Sequence, residues 1–193
     1  MVEGAPGKSP TQSGAAAGLI LPVSPACTVR MAEERSRFVL QGPDAARTMA
    51  GRAFGVALPV NPLEVMTGAD GSRAALWLGP DEWLLLAPAT EAAMLGEELG
   101  KALAGSPHAL VDVTHRQMGL CLEGPLAARL IAAGCPLDLR LKSFPAGRAT
   151  RSVFHKTEIL LWRQTEHRFH IEIWRSFLPY LVGHLHHAMT GLD

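Results

Sequence analysis

Phe38-Val-Leu-Gln-Gly42-Pro43-Asp-Ala45-Ala46-Arg47 decides how this chain is read, because it recurs as Leu120-Cys-Leu-Glu-Gly124-Pro125-Leu-Ala127-Ala128-Arg129 with six identities over ten positions. In both copies an apolar run ends at a glycine, which permits a sharp turn. A proline then opens a helix at its first position, where a missing N–H costs nothing. Small alanines let that helix approach a sheet closely, and Asp44 suits the positive end of the first helix. Gly-Pro after a strand is a common turn, but six matches within one strand–turn–helix unit favour duplication over chance.

Working outward, each copy is followed by a hairpin and a second helix. Ala74-Ala-Leu-Trp77-Leu, a turn at Gly79-Pro80-Asp81 and Glu82-Trp83-Leu-Leu-Leu86 form the first hairpin. Glu158-Ile-Leu-Leu-Trp162 and Arg168-Phe-His-Ile-Glu-Ile-Trp174 form the second. Phe169, Ile171 and Ile173 alternate with His170, Glu172 and Trp174, a period of two that predicts a half-buried strand. Helices are predicted over 90–104 and 176–189, with Thr90 and Ser176 as N-caps. Each half is therefore β-α-β-β-α, and a strand at 109–113 runs into another at 116–122. A shared sheet would bury both apolar faces, so one pseudo-symmetric α+β core is expected. The expected divisions are a flexible tail over 1–27, a first half over 28–107 and a second over 108–193.

The 193 residues are 48% hydrophobic and 19% charged, which excludes disorder over the whole chain. A chain this long buries roughly 70% of its unfolded surface and needs no staple. Eighteen basic against eighteen acidic residues give zero formal charge, without the basic excess of a nucleic-acid binder. Zero net charge also gives little protection against association, which fits a docked subunit and allows self-association in isolation. Cys27, Cys121 and Cys135 show no C-x-x-C spacing, so neither a disulfide framework nor a zinc knuckle is indicated and a cytoplasmic setting is expected. The Gly/Ala/Pro/Ser-rich start has an apolar patch broken by Gly18 and Pro22, unlike a secretory signal. No stretch reaches the roughly 20 apolar residues that span a bilayer, so no membrane partner is expected.

Residues with chemical potential are few. His184, His186 and His187 cluster near the end of the chain. On a helix His184 and His187 share a face and could pinch a metal, but histidines also suit a helix C-terminus. His167 and His170 read as solvated hairpin residues. Asp112, Thr114, His115 and Arg116 form the densest polar group, yet alternate strand residues point to opposite faces, so Asp112 is better placed to bond turn amides. No G-x-S-x-G, G-x-G-x-x-G or P-loop occurs. The expectation is no catalytic, cofactor or metal residue in this chain. The four tryptophans all sit in the hairpins, where Trp fits a pleated surface but is also enriched as an interface anchor. Trp174, Arg175, His115, Arg116 and Trp83 are the candidate partner-facing residues.

Several stretches, in order from Arg37 onward, are similar to one family: Leu78-Gly-Pro-Asp-Glu-Trp-Leu-Leu-Leu86, Val111-Asp-Val-Thr-His-Arg116, Leu122-Glu-Gly-Pro125, Cys135-Pro-Leu-Asp-Leu139, Phe144-Pro-Ala-Gly147 and Trp174-Arg-Ser-Phe177. Together they resemble the gamma subunits of heterotetrameric sarcosine oxidases. The resemblance implies a complex that oxidises sarcosine to glycine, with hydrogen peroxide and either formaldehyde or methylene-tetrahydrofolate. It implies a non-catalytic gamma subunit packed on alpha, in company with beta and delta, and FAD, FMN, NAD, folate and zinc held by those partners. It also implies two ferredoxin-like halves resembling the aminomethyltransferase folate-binding fold. A free-standing folate-binding one-carbon module is the alternative, with Arg116, Arg148 and Arg151 available for the glutamate tail of folate.

Overall fold

The apolar runs of the sequence become strands and amphipathic helices in a computed structural model that describes residues 18–191. In chain order the elements are β1 (Val23–Ser24), β2 (Cys27–Met31), β3 (Arg35–Gln41), α1 (Asp44–Phe54), β4 (Val65–Thr67), β5 (Ala74–Gly79), β6 (Glu82–Pro88), α2 (Ala92–Leu103), β7 (Ala109–Asp112), β8 (Gln117–Glu123), α3 (Ala127–Ala132), β9 (Arg148–Phe154), β10 (Thr157–Arg163), β11 (Arg168–Trp174) and α4 (Leu178–Thr190). The strands form two antiparallel sheets, ordered β4-β5-β6-β3-β7 and β1-β2-β8-β11-β10-β9. Position by position the orders correspond: β4 with β9, β5 with β10, β6 with β11, β3 with β8 and β7 with β2. The duplication read from ten residues thus extends over the whole architecture.

The expected single shared sheet is replaced by two sheets stacked face to face. Phe38, Leu40, Trp83 and Leu85 pack with Leu95 and Leu99 under α1 and α2 on the outside of the first sheet. Leu120, Leu161, Ile171 and Ile173 pack with Leu130, Leu181 and Leu185 under α3 and α4 on the outside of the second. The inner faces meet through Leu76, Leu84, Leu86, Ala149, Leu160 and Trp162. Four layers, α–β–β–α, result. Every strand buried on both faces must therefore be apolar on one side and compatible with a second sheet on the other.

The leading strands are exchanged between the halves. β2 precedes β3 in the chain but pairs with β8 of the other sheet, and β7 precedes β8 but pairs with β3. Sheet membership therefore does not follow a boundary at 107/108. Of the tail expected over 1–27, residues 1–17 lie outside the described residues. From Gly18 onward the chain is docked: Leu19 and Leu21 pack on the second core, and β1 pairs with β2. The alternating burial of Cys27-Thr28-Val29-Arg30-Met31 carried a period-of-two signal for β2.

Helix starts also differ in detail from expectation. Pro43 is the N-cap of α1 rather than its first residue, and Pro125 lies one residue before the cap Leu126 of α3. Thr90 and Ser176 fall inside 3-10 turns, Ala89–Glu91 and Arg175–Phe177, that precede α2 and α4 in both halves. Neither side chain caps its helix, because the tight turn spends those residues before the α-helix begins.

The two repeat glycines are needed for different reasons. Gly124 has φ +137°, and a Cβ there would overlap the backbone carbonyl of Ala26. Gly42 is not in a positive-φ conformation, but a Cβ would lie 2.9 Å from that of Ala46 in the close helix–sheet packing. Gly105, at φ +87°, has open space around it. Gly124→Ala is expected to cost roughly 3 kcal/mol or more in urea denaturation, since strain of about 1–3 kcal/mol is joined by displacement of the segment leading into β2. Gly105→Ala should show the strain alone, and equal losses at the two positions would refute this account.

Candidate functional site

The chemistry of the molecule lies between the sheets. On the inner face of the second sheet, Arg151 pairs with Leu160, Leu160 with Glu172, and Glu172 with Gly119 across the ladder. The next row holds the pairs Val153/Glu158 and Trp174/Gln117. On the other side, Trp162 is opposite His170 and His170 opposite Cys121. Facing them on the first sheet are Arg37 and Val39 of β3, with Leu84 and Leu86 of β6.

A buried charge network joins the two sheets at the centre of this layer. Arg37 Nε donates to Glu172 Oε2 at 2.6 Å, and His170 Nε2 lies 2.7 Å from Glu172 Oε1. Arg37 Nη1 donates to the Arg35 carbonyl at 2.7 Å, and its backbone N–H donates to Thr114 Oγ1 at 2.9 Å. Gly119 is required here because a side chain would meet the His170 ring at 2.9 Å. Burial pushes the Glu172 carboxyl up, but the Arg37 charge and the His170 contact outweigh it and bring the group down to about 2. A carboxylate held this firmly ionised, with both oxygens engaged, is neither a proton donor nor a base near neutral pH.

His170 is therefore corrected from a solvated residue to a buried one, at 4% exposure. The alternation in β11 was correctly periodic, but its polar face meets a second sheet instead of water. Arg37 and Glu172 were not singled out from sequence at all. The signal available was the polar face of β11, with Glu172 two residues from His170, and that cannot reveal what covers it.

At one end of the layer the sheets part to leave a cavity of about 500 Å³, lined by Val39, Leu84, Gln117, Arg151, Glu172 and Trp174 among others. Its mouth gathers several of the expected partner-facing residues. The Arg116 guanidinium lies over the Trp174 ring, 4.8 Å from its centroid. The Arg175 amide donates to the Arg116 carbonyl at 2.9 Å, which fixes the turn after β7 against the end of β11. Trp174 is 41% exposed, Arg175 is half-buried and His115 is exposed. Trp83 is withdrawn from this group: it is 1% exposed in the outer core, where its indole N–H donates to the Pro59 carbonyl at 2.8 Å. Asp112 accepts from the Thr114 amide at 2.8 Å, the turn role expected of it.

The remaining candidates are dispersed or already engaged. Arg151 donates to both carboxylate oxygens of Glu82, and this hydrogen bonding, more than charge, draws the Glu82 carboxyl below its usual range. Arg148 donates to the Pro62 carbonyl at 3.2 Å and does not line the cavity. Arg116, Arg148 and Arg151 thus do not converge on one anion. His184 lies between the rings of Tyr180 and His155, at 4.4 Å from each, and His186 Nε2 lies 2.6 Å from the Ile20 carbonyl. Among the described residues no three His, Cys, Asp or Glu side chains are grouped to hold a metal ion, and no helix is long and apolar enough to cross a membrane.

Known proteins are similar to this chain in sequence and fold. Residues 41–190 match the model of the "Sarcosine oxidase, gamma subunit family". The sarcosine oxidase subunit gamma of an Arthrobacter species is 37% identical over 127 residues, 66% of this chain and 61% of that protein. That of Corynebacterium sp. strain P-1 is 36% identical over 65% of this chain and 61% of its own length. The chain thus matches a little over three-fifths of the length of these curated relatives. A chain of heterotetrameric sarcosine oxidase from Corynebacterium sp. U-96 superposes with TM-score 0.84 at 30% identity, covering 95% of both chains. The aminomethyltransferase T of Bartonella henselae superposes with TM-score 0.62 at 15% identity over 83% of this chain and 45% of its own, a likeness of fold. The mixed α and β fold with ferredoxin-like halves and its likeness to the aminomethyltransferase fold are as expected, and the chain belongs to the sarcosine oxidase gamma subunit family.

Proposed function

We propose that this chain is the gamma subunit of a heterotetrameric sarcosine oxidase and works there as a structural subunit. The complex would demethylate sarcosine oxidatively to glycine, with hydrogen peroxide and formaldehyde or methylene-tetrahydrofolate as the other products. The observation that carries this reading is the superposition, over nearly the full length of both chains, on a subunit of such a complex. The structural role is supported by the state of the polar groups: Glu172 is saturated by Arg37 and His170, Arg151 by Glu82, and Asp112 by a turn amide. None of these is held ready to accept or donate a proton to a substrate. In this reading the alpha, beta and delta subunits carry FAD, FMN, NAD, folate and zinc, and the chain works in the cytoplasm as one compact unit docked on alpha. The dispersed arginines do not favour the alternative of a free-standing folate module.

The test is co-expression of this chain, tagged, with the alpha, beta and delta subunits. A yellow complex should co-purify, and it should form peroxide when sarcosine is added. Omitting this chain should lower the yield of assembled complex. A complex that assembles and turns over equally well without it would overturn the proposal.

A further inference from the structure

We propose that the open end of the inter-sheet layer is a docking socket for a partner-subunit segment that presents a large apolar or aromatic side chain beside a carboxylate. This inference rests on the subunit reading above and names the surface and the chemistry of what it meets.

The socket is built from two cavities on either side of Trp174. The larger, of about 500 Å³, runs between the sheets. A smaller one, of about 180 Å³, lies between Trp174, Phe177 and the turn at Lys156–Glu158. Val153, Trp174 and Phe177 are 39%, 41% and 45% exposed, so apolar surface continues from the cavity wall onto the outside of the molecule. A small molecule enclosed between the sheets would leave that outer surface wet. A peptide segment crossing the mouth would cover it, with one side chain entering the layer. The walls are strands held by complete ladders, so the socket is formed in advance of binding.

Charge selects the occupant. Among the described residues, Arg116, Arg175 and Lys156 have no carboxylate within ion-pairing distance, while Arg151 is already matched by Glu82. Of the two carboxylates that line the cavities, Glu158 is exposed and Glu172 is bound by Arg37 and His170. The rim therefore favours a carboxylate on the partner, and Arg116, stacked on Trp174, is placed to receive it beside the apolar contact. Gln117 lines the cavity, and its Oε1 is buried without a donor.

The experiment uses the full chain in the co-expressed complex. Trp174→Ala should weaken association with the partner subunits by at least about 30-fold. Arg116→Glu should weaken it further at low salt than at high salt. Met94→Ala, an exposed apolar residue on α2, should leave association unchanged, and circular dichroism of the free variants should match the parent. A photocrosslinking phenylalanine analogue at position 177 should join the chain to a partner peptide containing Asp or Glu next to an apolar residue. If the parent assembles and Trp174→Ala assembles equally well, the socket is refuted while the subunit reading stands. If the parent recovers no partner, the subunit reading falls and this inference with it. If native mass spectrometry of the isolated chain finds a small molecule that Trp174→Ala loses, the occupant is a ligand and the docking proposal is overturned.

Discussion

Residues 1–107 and 108–193, expressed as separate fragments, are each expected to fail to fold, and to recover a cooperative thermal transition when mixed. The reason is the strand exchange. The second fragment lacks β2, which covers the β8 edge through four register pairs and brings Cys27 and Val29 into its core. The first lacks β7, which covers the corresponding edge of β3. Each fragment also exposes the inner face of its sheet, including Leu76 and Leu84 in one and Leu160 and Trp162 in the other. Open edges and apolar faces of this kind drive aggregation. Mixed together, each fragment holds the strand that its counterpart needs. Circular dichroism and gel filtration distinguish the outcomes, and a cooperative transition in either fragment alone would refute the interlocked unit we propose here.

Arg37→Met is expected to destabilise the chain by about 3–5 kcal/mol, a loss on the scale seen when one partner of a buried ion pair is removed. The mutation leaves Glu172 with its buried charge and only His170 against it. The paired replacement Arg37→Met with Glu172→Leu should recover much of the loss, because burying two charges costs nearly as much as their attraction returns. Urea denaturation of the single and double variants measures the difference. A single variant within about 1 kcal/mol of the parent would refute a central role for the network. The same pair sets the acid limit. The folded-state value of Glu172 is depressed to about 2 from an ordinary value of 4.5. Its contribution is therefore fully present above about pH 4.5 and is lost as pH falls from there through about 2. Acid unfolding of the Arg37→Met, Glu172→Leu double variant should depend less on pH over that interval than that of the parent.

These effects arise at places that the sequence marked unevenly. Gly124 was legible as a turn glycine, but its contact with Ala26 was not, since Ala26 reaches it only through the docking of β2 onto the second sheet. Trp174, Arg175, His115 and Arg116 were legible as a polar and aromatic group because they are near neighbours in two short segments. The structure brings those segments together at the end of the inter-sheet layer. Trp83 shared their composition and belongs to the outer core, which residue type cannot distinguish. The network of Arg37, His170 and Glu172 was missed because Arg37 lies on the facing sheet, 135 residues from Glu172, while His170 and Glu172 share β11.

By itself the sequence determined the duplicated strand–turn–helix units, the two hairpins and the helices that follow them, but not β1, β2, β4 or β9. Local physics suffices for that: a period of two for strands, glycine and proline at turns, alanine where a helix must lie close, and the same order twice. The tertiary structure alone decided that the halves form two stacked sheets instead of one, that they exchange their leading strands, and that the polar face of β11 meets an arginine instead of water. Alternation specifies that a strand has two unlike faces. What lies against each face depends on contacts between residues far apart in the chain, which no local pattern records.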